Sequence, residues 1–160
     1  YCIMAEQSRT AYHFGDLLAL AREHWVRQMA EHVERAGFGG YRRTDAAVVR
    51  LLSRRPRSIG EIGVALAVTR QAARKFVTGL EQRGFVVTAR DASDARQVNV
   101  ELTRRGEQYA RAIRVAIDGL DHRLERRVER AQLLAADAVL RASLPDQVAR
   151  DAVARRVPPP

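Results

Sequence analysis

The sequence is poor in cysteine and contains no long apolar run. Its 160 residues include one cysteine, Cys2, which cannot form a disulfide within the chain and therefore favours a reducing compartment. The run of about 20 apolar residues that a membrane helix requires is missing, and so is a signal-peptide pattern. These absences predict a cytoplasmic protein with no membrane partner, and the length and composition suffice for one globular core.

Patterns typical of catalysis and of metal binding are also missing. There is no Gly-rich phosphate loop, no nucleophile elbow and no arrangement of paired carboxylates. On one helix, His24 and His32 would lie about 12 Å apart, too far to share a metal ion without further ligands. We therefore expect no enzyme activity, no metal and no cofactor, and we expect the histidines to be surface or cleft residues.

Positive charge is abundant and unevenly distributed. The formal net charge is +9 and the isoelectric point is near 11.0. Residues 42–111 contain 15 basic and 7 acidic residues, so they carry +8 of this +9. A local excess of this kind favours a polyanionic partner that binds to this part of the chain. A uniform excess would instead favour general solubility or binding to a membrane surface.

Within this basic part, capping signals predict two short, consecutive helices. Ser58 followed three residues later by Glu61 forms a capping box, which predicts that the first helix begins at Ser58. Thr69 is a good N-cap for the second helix. Gly84 follows its last apolar turn, where a residue in the left-handed conformation can end it. The pair therefore has the form of a helix-turn-helix.

The second helix of the pair is predicted to have an apolar and a cationic face. Its apolar residues recur at helical spacing. The residues left on the other face are Arg70, Gln71, Arg74, Lys75 and Thr78. A helix fits the major groove of DNA, and cations in its first half would meet base edges and phosphates. We expect the first four residues to contact bases and Thr69 to contact a phosphate. The alternative is an ordinary solvated helix face.

Residues 85–90 and 97–102, rich in valine or threonine, predict a β-hairpin that follows the helix pair. We expect DNA contacts from Arg90, which would end its first strand, and from Asp94 and Arg96, which would lie at its tip. A cationic tip suits the minor groove of DNA, and Asp94 could orient Arg96 or the backbone of the tip. With this hairpin as a wing, and with a further short strand over residues 57–59, the order of elements is that of a winged helix-turn-helix.

Residues 44–109 resemble the MarR family of bacterial transcriptional regulators. The segments that carry the resemblance are T-R-Q-A-A-R-K-F-V, L-E-Q-R-G-F-V, D-A-S-D-A-R-Q-V and V-E-L-T-R-R-G. The resemblance implies a nucleoid-associated homodimer that binds a palindromic DNA operator, usually a repressor released by a small aromatic or phenolic ligand. Two residues depart from expectation. Ala95 stands where the family often has a second arginine, and Gly79 should cost the helix about 1 kcal/mol relative to alanine if exposed.

The expected fold class is mostly α with a small β-wing. A winged helix-turn-helix DNA-binding domain (41–103) is flanked by an N-terminal dimerisation helix and loop (1–40), by C-terminal dimerisation helices (104–157) and by a mobile tail (158–160). The helical pattern predicts a long helix over residues 8–36, a helix over 44–54 capped by Thr44, a helix from Thr103 to about residue 130 and another over 131–142. After Pro145 we expect one more short helix.

In the architecture implied by the resemblance, a ligand pocket would lie between the winged domain and the outer helices. Candidate lining residues are Tyr12, His13, Trp25, His32, Tyr41 and Tyr109. Trp25 and Tyr109 could equally be core residues. Cys2 could be a redox sensor, as in some relatives, but the absence of an assignable base nearby favours an inert thiol.

Two further questions stay open from the sequence. The basic residues outside the second helix are either phosphate contacts or solvated charges; they are Arg42, Arg43, Arg54, Arg55 and Arg57. Two other functions compete with that of a regulator. One is a protein that organises DNA without sequence preference, and the other is a ligand-gated module that uses a winged domain to contact proteins.

Overall fold

The computed structural model describes residues 13–90 and 98–144, which form six α-helices and a three-stranded antiparallel sheet. In chain order the elements are α1 (Phe14–Arg35), α2 (Arg43–Leu52), β1 (Arg57–Ser58), α3 (Ile59–Leu66), α4 (Arg70–Gln82), β2 (Val86–Arg90), β3 (Val98–Leu102), α5 (Arg104–Glu125) and α6 (Arg130–Ala142). The predicted fold class, mostly α with a small β-wing, is confirmed.

The first helix begins later than predicted. His13 has extended backbone angles (φ −69°, ψ 157°), so α1 begins at Phe14 and not at residue 8. The His13 N–H donates to the Asp16 carboxylate at 3.1 Å. The helix dipole favours this negative charge in the first turn. At the other end Ala36 is the C-cap. The helix packs along α5 with its second half, where Met29 and Val33 are buried.

Helix α2 supports the helix pair but is not capped as predicted. It begins at Arg43 with Arg42 as N-cap, so Thr44 lies inside the first turn and the predicted Thr44 cap is wrong. The first turn instead buries Asp45, which is 3% exposed and forms an ion pair of 2.7 Å with Arg83. The helix ends at Leu52, and the Ser53 hydroxyl donates to the Arg50 carbonyl in the last turn at 2.9 Å.

The sheet has the order β1-β3-β2. In its register Arg57 pairs with Val100, and Val86 pairs with Leu102. The short strand before α3 and the hairpin after α4 were both predicted, to within about one residue at each end. Residues 91–97, between β2 and β3 in sequence, are not described, so the predicted positions of Asp94 and Arg96 fall outside the described residues.

The boundary between helices α5 and α6 differs from the one that the sequence predicts. Thr103 caps α5 as predicted, since its side chain accepts the Gly106 N–H at 3.1 Å. The helix ends at Glu125, five residues before the predicted end, because Glu129 is already the N-cap of α6. Helix α6 matches its prediction to one residue. The helix predicted after Pro145 and the tail at 158–160 lie outside the described residues.

An aromatic cluster joins the outer helices to the hairpin. Phe85 stacks on Tyr109 of α5 with ring centroids 4.5 Å apart. Phe38, from the loop between α1 and α2, lies 5.3 Å from Tyr109 and 6.1 Å from Phe85. The backbone carbonyl of Phe85 also accepts the Thr103 N–H at 3.1 Å, and the Thr103 hydroxyl donates to the Gly84 carbonyl at 2.6 Å. The start of the hairpin is therefore fixed to the start of α5.

Candidate nucleic-acid interface

The turn between α3 and α4 is short and closely packed. Ala67 adopts the left-handed conformation (φ 55°, ψ 45°) and ends α3, and the Val68 N–H donates to the Gly63 carbonyl at 3.0 Å. A Cβ atom on Gly63 would lie 3.1 Å from the Val68 carbonyl oxygen. Glycine at this position therefore permits the close approach that sets the angle between the two helices.

Both predicted caps of the helix pair are confirmed. Ser58 and Glu61 exchange hydrogen bonds of 2.8 and 3.2 Å at the start of α3. Bonding to the Ser58 backbone, and then to Arg55, holds the pKa of the Glu61 carboxyl below its usual value. At the start of α4 the Thr69 side chain accepts the Ala72 N–H at 3.2 Å. The Thr69 hydroxyl proton is not used by this bond, so it can still be donated to a phosphate.

The exposed face of α4 brings together five predicted DNA contacts. The opposite face carries Ala73 and Val77, which are buried in the core with Leu80. All five side chains of the outer face are exposed: Arg70, Gln71, Arg74, Lys75 and Thr78. The nearest acidic side chain along the helix, Glu81, accepts the Thr88 hydroxyl at 3.1 Å. This bond also attaches the hairpin to the helix, so the base of the wing has a defined position beside the cationic face.

Of the three residues predicted on the wing, only Arg90 lies within the described backbone. It is the last residue of β2 and pairs with Val98. Asp94 and Arg96 lie between the two strands, at residues outside the described part. The wing contacts therefore stay predictions, while the β2 and β3 register defines the strand pair from which they would project.

The basic residues before α3 divide into three kinds. Arg55 is engaged: it contacts the Glu61 carboxylate at 2.6 Å and donates to the Pro56 carbonyl at 3.1 Å. It therefore supports the start of α3. Arg57 is half-buried, and burial, with the charge of Arg55 next, lowers the pKa of its guanidinium. The remaining residues of the set, Arg42, Arg43 and Arg54, are exposed and available for phosphates.

This basic face occurs in a segment that resembles known regulators. Residues 40–97 match the model of the MarR family. This segment is therefore similar to the MarR family over about a third of the chain. A relative in Bacillus subtilis, the HTH-type transcriptional regulator YkoM, is 33% identical over 88 residues, which cover 54% of this chain and 53% of that protein. The chain therefore spans about half the length of this relative.

Solved structures of MarR-type proteins share the fold over most of the chain. The repressor CouR, bound to a 23-mer DNA duplex, is 25% identical with a TM-score of 0.64, covering 80% of this chain and 89% of CouR. CouR from Rhodococcus jostii, bound to p-coumaroyl-CoA, is matched at 17% identity with a TM-score of 0.61, over 80% and 89% of the two chains. The first of these structures is of a protein with a similar fold bound to DNA.

The residues predicted to line a ligand pocket do not meet in one place. His32 lines a groove of about 420 Å³ between α1 and α5, whereas Tyr41 lines a different groove of about 300 Å³. Tyr109 is a core residue, 1% exposed, and burial, with Asp45 next, raises the pKa of its hydroxyl to about 12. Trp25 packs against the core, and His13 lies exposed at the start of α1. The reason is geometric, since Trp25 and His32 lie two turns apart along α1, Tyr41 follows α1 in a loop and Tyr109 belongs to α5. Tyr12 lies outside the described residues.

Residues 13–90 and 98–144 contain no cluster of histidine, cysteine and acidic side chains that could hold a metal ion. Two of the histidines that the sequence draws attention to are engaged by arginine. Arg27 contacts Nδ1 of His24 at 3.0 Å, and Arg35 contacts Nδ1 of His32 at 3.1 Å. Over the same residues, no helix is long and apolar enough to cross a membrane.

The glycine within α4 can be replaced without a clash. A Cβ added to Gly79 would have no heavy atom within 4 Å. Because alanine loses less backbone freedom on folding, Gly79→Ala should raise the free energy of unfolding by about 1 kcal/mol. Urea denaturation measures this change. Gly84→Ala is the matched control: Gly84 has φ +71°, so the same substitution there should lower stability. Shifts of equal sign in both variants would contradict this assignment.

Proposed function

We propose that this chain is a transcriptional regulator of the MarR type, a repressor that binds a palindromic operator as a homodimer and is released by a small ligand. Residues 41–103 form its reading domain, and residues 1–40 and 104–157 form its dimerisation segments. The observation that carries the proposal is the cationic outer face of α4, which begins at the first turn of the second helix of a helix-turn-helix.

Three properties of this face suit DNA. The helix begins with exposed Arg70 and Gln71. Because this end is the N-terminus of the helix, its N–H groups and its dipole also favour phosphate there. Arg74 and Lys75 follow one turn later and are within reach of base edges when the helix enters the major groove. Thr69, at the N-cap, is placed for a phosphate. CouR, which has a similar fold, is described bound to a 23-mer DNA duplex, and this supports DNA as the partner.

The dimer is supported by apolar side chains that a single subunit leaves in contact with water. No described residue of α6 is buried, and Leu134 is 63% exposed. The first half of α1 is similarly exposed at Phe14, Leu17, Leu18 and Leu20. Helices of this length are marginal without tertiary packing, and large apolar patches mark interfaces. A second copy of the chain, pairing the same helices, would cover both patches.

Release by a ligand is supported by a relative. CouR is described in complex with p-coumaroyl-CoA, an aromatic ligand. For this chain we propose an effector of the same general kind, a small molecule with an aromatic or phenolic part. Its binding would lower the affinity of the dimer for its operator.

The DNA-binding residues can be tested by substitution. Arg74→Ala and Lys75→Ala should each weaken operator binding by about 1 to 3 kcal/mol, because each removes a contact to a base edge. Fluorescence anisotropy with the intergenic DNA upstream of the gene, at about 150 mM salt, measures this loss. Arg114→Ala, which removes an exposed cation from α5, is the control and should leave the affinity unchanged. Unchanged affinity in all the variants would refute the assignment of these residues.

A scrambled duplex separates specific from general binding. We expect the operator to bind at least about a thousandfold more tightly than the scrambled DNA. Equal affinity would favour a DNA-organising protein, and no binding to either would favour a protein-interaction module. Lys75 provides an independent readout because it is the only lysine in the sequence. An amine-acylating reagent followed by peptide mass spectrometry should therefore show slower modification of Lys75 with operator than with scrambled DNA.

The dimer interface can be tested on α6. Leu140→Glu places a charge among the exposed apolar side chains of this helix, where Leu140 is 41% exposed. We expect the variant to sediment as a monomer in analytical ultracentrifugation, while the wild type sediments as a dimer. Ala135→Glu adds the same charge about 140° away around the helix and should leave the dimer intact. A monomeric wild type, or a dimeric Leu140→Glu variant, would contradict the proposed interface.

A further inference from the structure

The cations of this chain are almost all arginines. Of its 28 lysines and arginines, Lys75 is the only lysine. An amine reacts with an activated acid to form an uncharged amide, whereas a guanidinium keeps its proton and its charge. Apart from its α-amino group, the chain therefore has one position at which acyl transfer removes a positive charge.

This position lies on the outer face of α4. Lys75 is exposed, in the second turn of the helix. No described residue forms an ion pair or a hydrogen bond with its side chain. The amine is therefore accessible from solvent, and a reaction there changes the same face on which the proposed function depends.

The surroundings of Lys75 on the helix are cationic. Arg70 and Arg74 are the other exposed cations of this face. The residues three and four positions away, which are neighbours on a helix surface, include no carboxylate; they are Gln71, Ala72, Thr78 and Gly79. A cationic surface without a carboxylate attracts small anions and raises their local concentration. The face therefore favours an acyl donor that carries negative charge over a neutral one.

Some exposed arginines of other helices have a different environment. Arg141 of α6 contacts the Asp137 carboxylate at 2.6 Å. Arg114 of α5 has Asp118 four residues later, which places a carboxylate beside it on the helix surface. An anionic donor is repelled by such a carboxylate. The combination of a reactive amine and an uncompensated cationic surface is therefore a property of α4.

We propose that Lys75 is a site of acylation by phosphate-bearing acyl donors, which are acyl phosphates or acyl-coenzyme A thioesters, and that the reaction weakens DNA binding. The neutral amine attacks the carbonyl carbon of the donor, so a C–N bond forms and the C–O or C–S bond to the leaving group breaks. Phosphate or the coenzyme A thiol departs, and the proton of the amine passes to the leaving group or to water. The product is an uncharged amide.

Acylation and operator binding exclude each other in this proposal. The amide has lost the positive charge with which Lys75 would contact DNA. Conversely, bound operator covers the amine, so the donor reacts with the protein that is free of DNA. The effect on DNA rests on the proposed function, whereas the acylation itself requires only the exposed amine and its cationic neighbours.

Peptide mass spectrometry of the full chain tests the site. Arg114→Lys supplies a second exposed lysine in the same protein, next to Asp118. Acetyl phosphate and acetyl-coenzyme A, in separate reactions, each give a ratio of the acetylation rate at Lys75 to that at position 114. N-hydroxysuccinimidyl acetate, a neutral donor, gives the reference ratio.

At least one anionic donor should raise this ratio about fivefold or more above the reference, and about 1 M salt should abolish the increase. The donor that raises the ratio identifies the source of the acyl group. Equal ratios for all three donors would show that the outer face of α4 does not select anionic donors, and the proposed site would be wrong.

The effect on DNA is tested by operator affinity after treatment with the donor that reacts. Acetylated wild type should bind the operator at least about fivefold more weakly than untreated protein. Lys75→Arg keeps a cation that the donor does not acylate, so treatment should leave this variant's own affinity unchanged. An equal loss in both proteins, or acetylation of Lys75 without loss, overturns this part. If the wild type has no specific operator, the proposed function fails, while mass spectrometry still decides whether Lys75 is the site.

Discussion

Gly106→Ala is expected to lower the free energy of unfolding by about 3 to 5 kcal/mol, at or beyond the upper end of typical overpacking costs. A Cβ at this position would overlap the carbonyl oxygen of Phe85 and lie 3.2 Å from a methyl group of Leu102. The atom in the way belongs to the backbone, so no rotamer change relieves the overlap. To accommodate it, the start of α5 must separate from the start of the hairpin. That movement stretches the Thr103 hydrogen bonds and separates Tyr109 from Phe85.

Urea denaturation of the Gly106→Ala variant measures this loss, and Gly119→Ala in the same helix is its control. At Gly119 the nearest atom to a new Cβ is the end of the flexible Arg123 side chain, at 3.8 Å. There we expect a gain of up to about 1 kcal/mol from helix propensity alone. The close approach of α5 to the hairpin would be disproved if Gly106→Ala unfolded at the same urea concentration as the wild type.

Arg83→Met is the second substitution for which we expect a large effect, a loss of about 3 kcal/mol. It removes the partner of Asp45, whose side chain is 4% exposed, while the Arg83 side chain is 28% exposed. A buried carboxylate without a partner is costly, whereas a partly exposed guanidinium can turn to solvent. Asp45→Asn alone should therefore cost less, about 1 kcal/mol.

The two substitutions at this pair should not be additive. In the wild type Asp45→Asn destabilises, but in the Arg83→Met background it removes the uncompensated charge and should restore about half of the loss. Chemical denaturation of the four proteins of this cycle supplies the measurement. A loss in the double variant equal to the sum of the single losses would indicate that the carboxylate and the guanidinium do not interact.

The features that were predicted correctly are encoded by residues close together in sequence. Ser58, Thr69 and Thr103 cap their helices through bonds that span three residues, so spacing alone is informative. The outer face of α4 follows from helical periodicity in the same way. The Thr44 cap was predicted on the same local grounds and was wrong, because Asp45 one residue later is drawn into the core by Arg83 and shifts the start of the helix.

The parts of the site that were missed depend on residues far apart in the chain. No local signal connects Asp45 with Arg83, or Phe38 with Phe85 and Tyr109, because these contacts exist only after the outer helices have packed on the hairpin. The predicted pocket combined residues by type, but the fold places them in separate grooves, in the core and at the exposed start of α1.

Helix α5 is long enough that a small tilt would move one of its ends by several ångströms. Its 22 residues give it a length of about 33 Å, and its first turn is fixed to the hairpin by Thr103 and Gly106. A tilt of about 5° at the far end of a rod of this length moves the near end by about 3 Å, close to the 3.4 Å rise of one base pair. In the proposed dimer, a small rearrangement at the subunit interface would therefore change the separation of the two α4 helices by about one base-pair step. The operator spacing that the dimer tolerates would then be determined by α5 and not by α4.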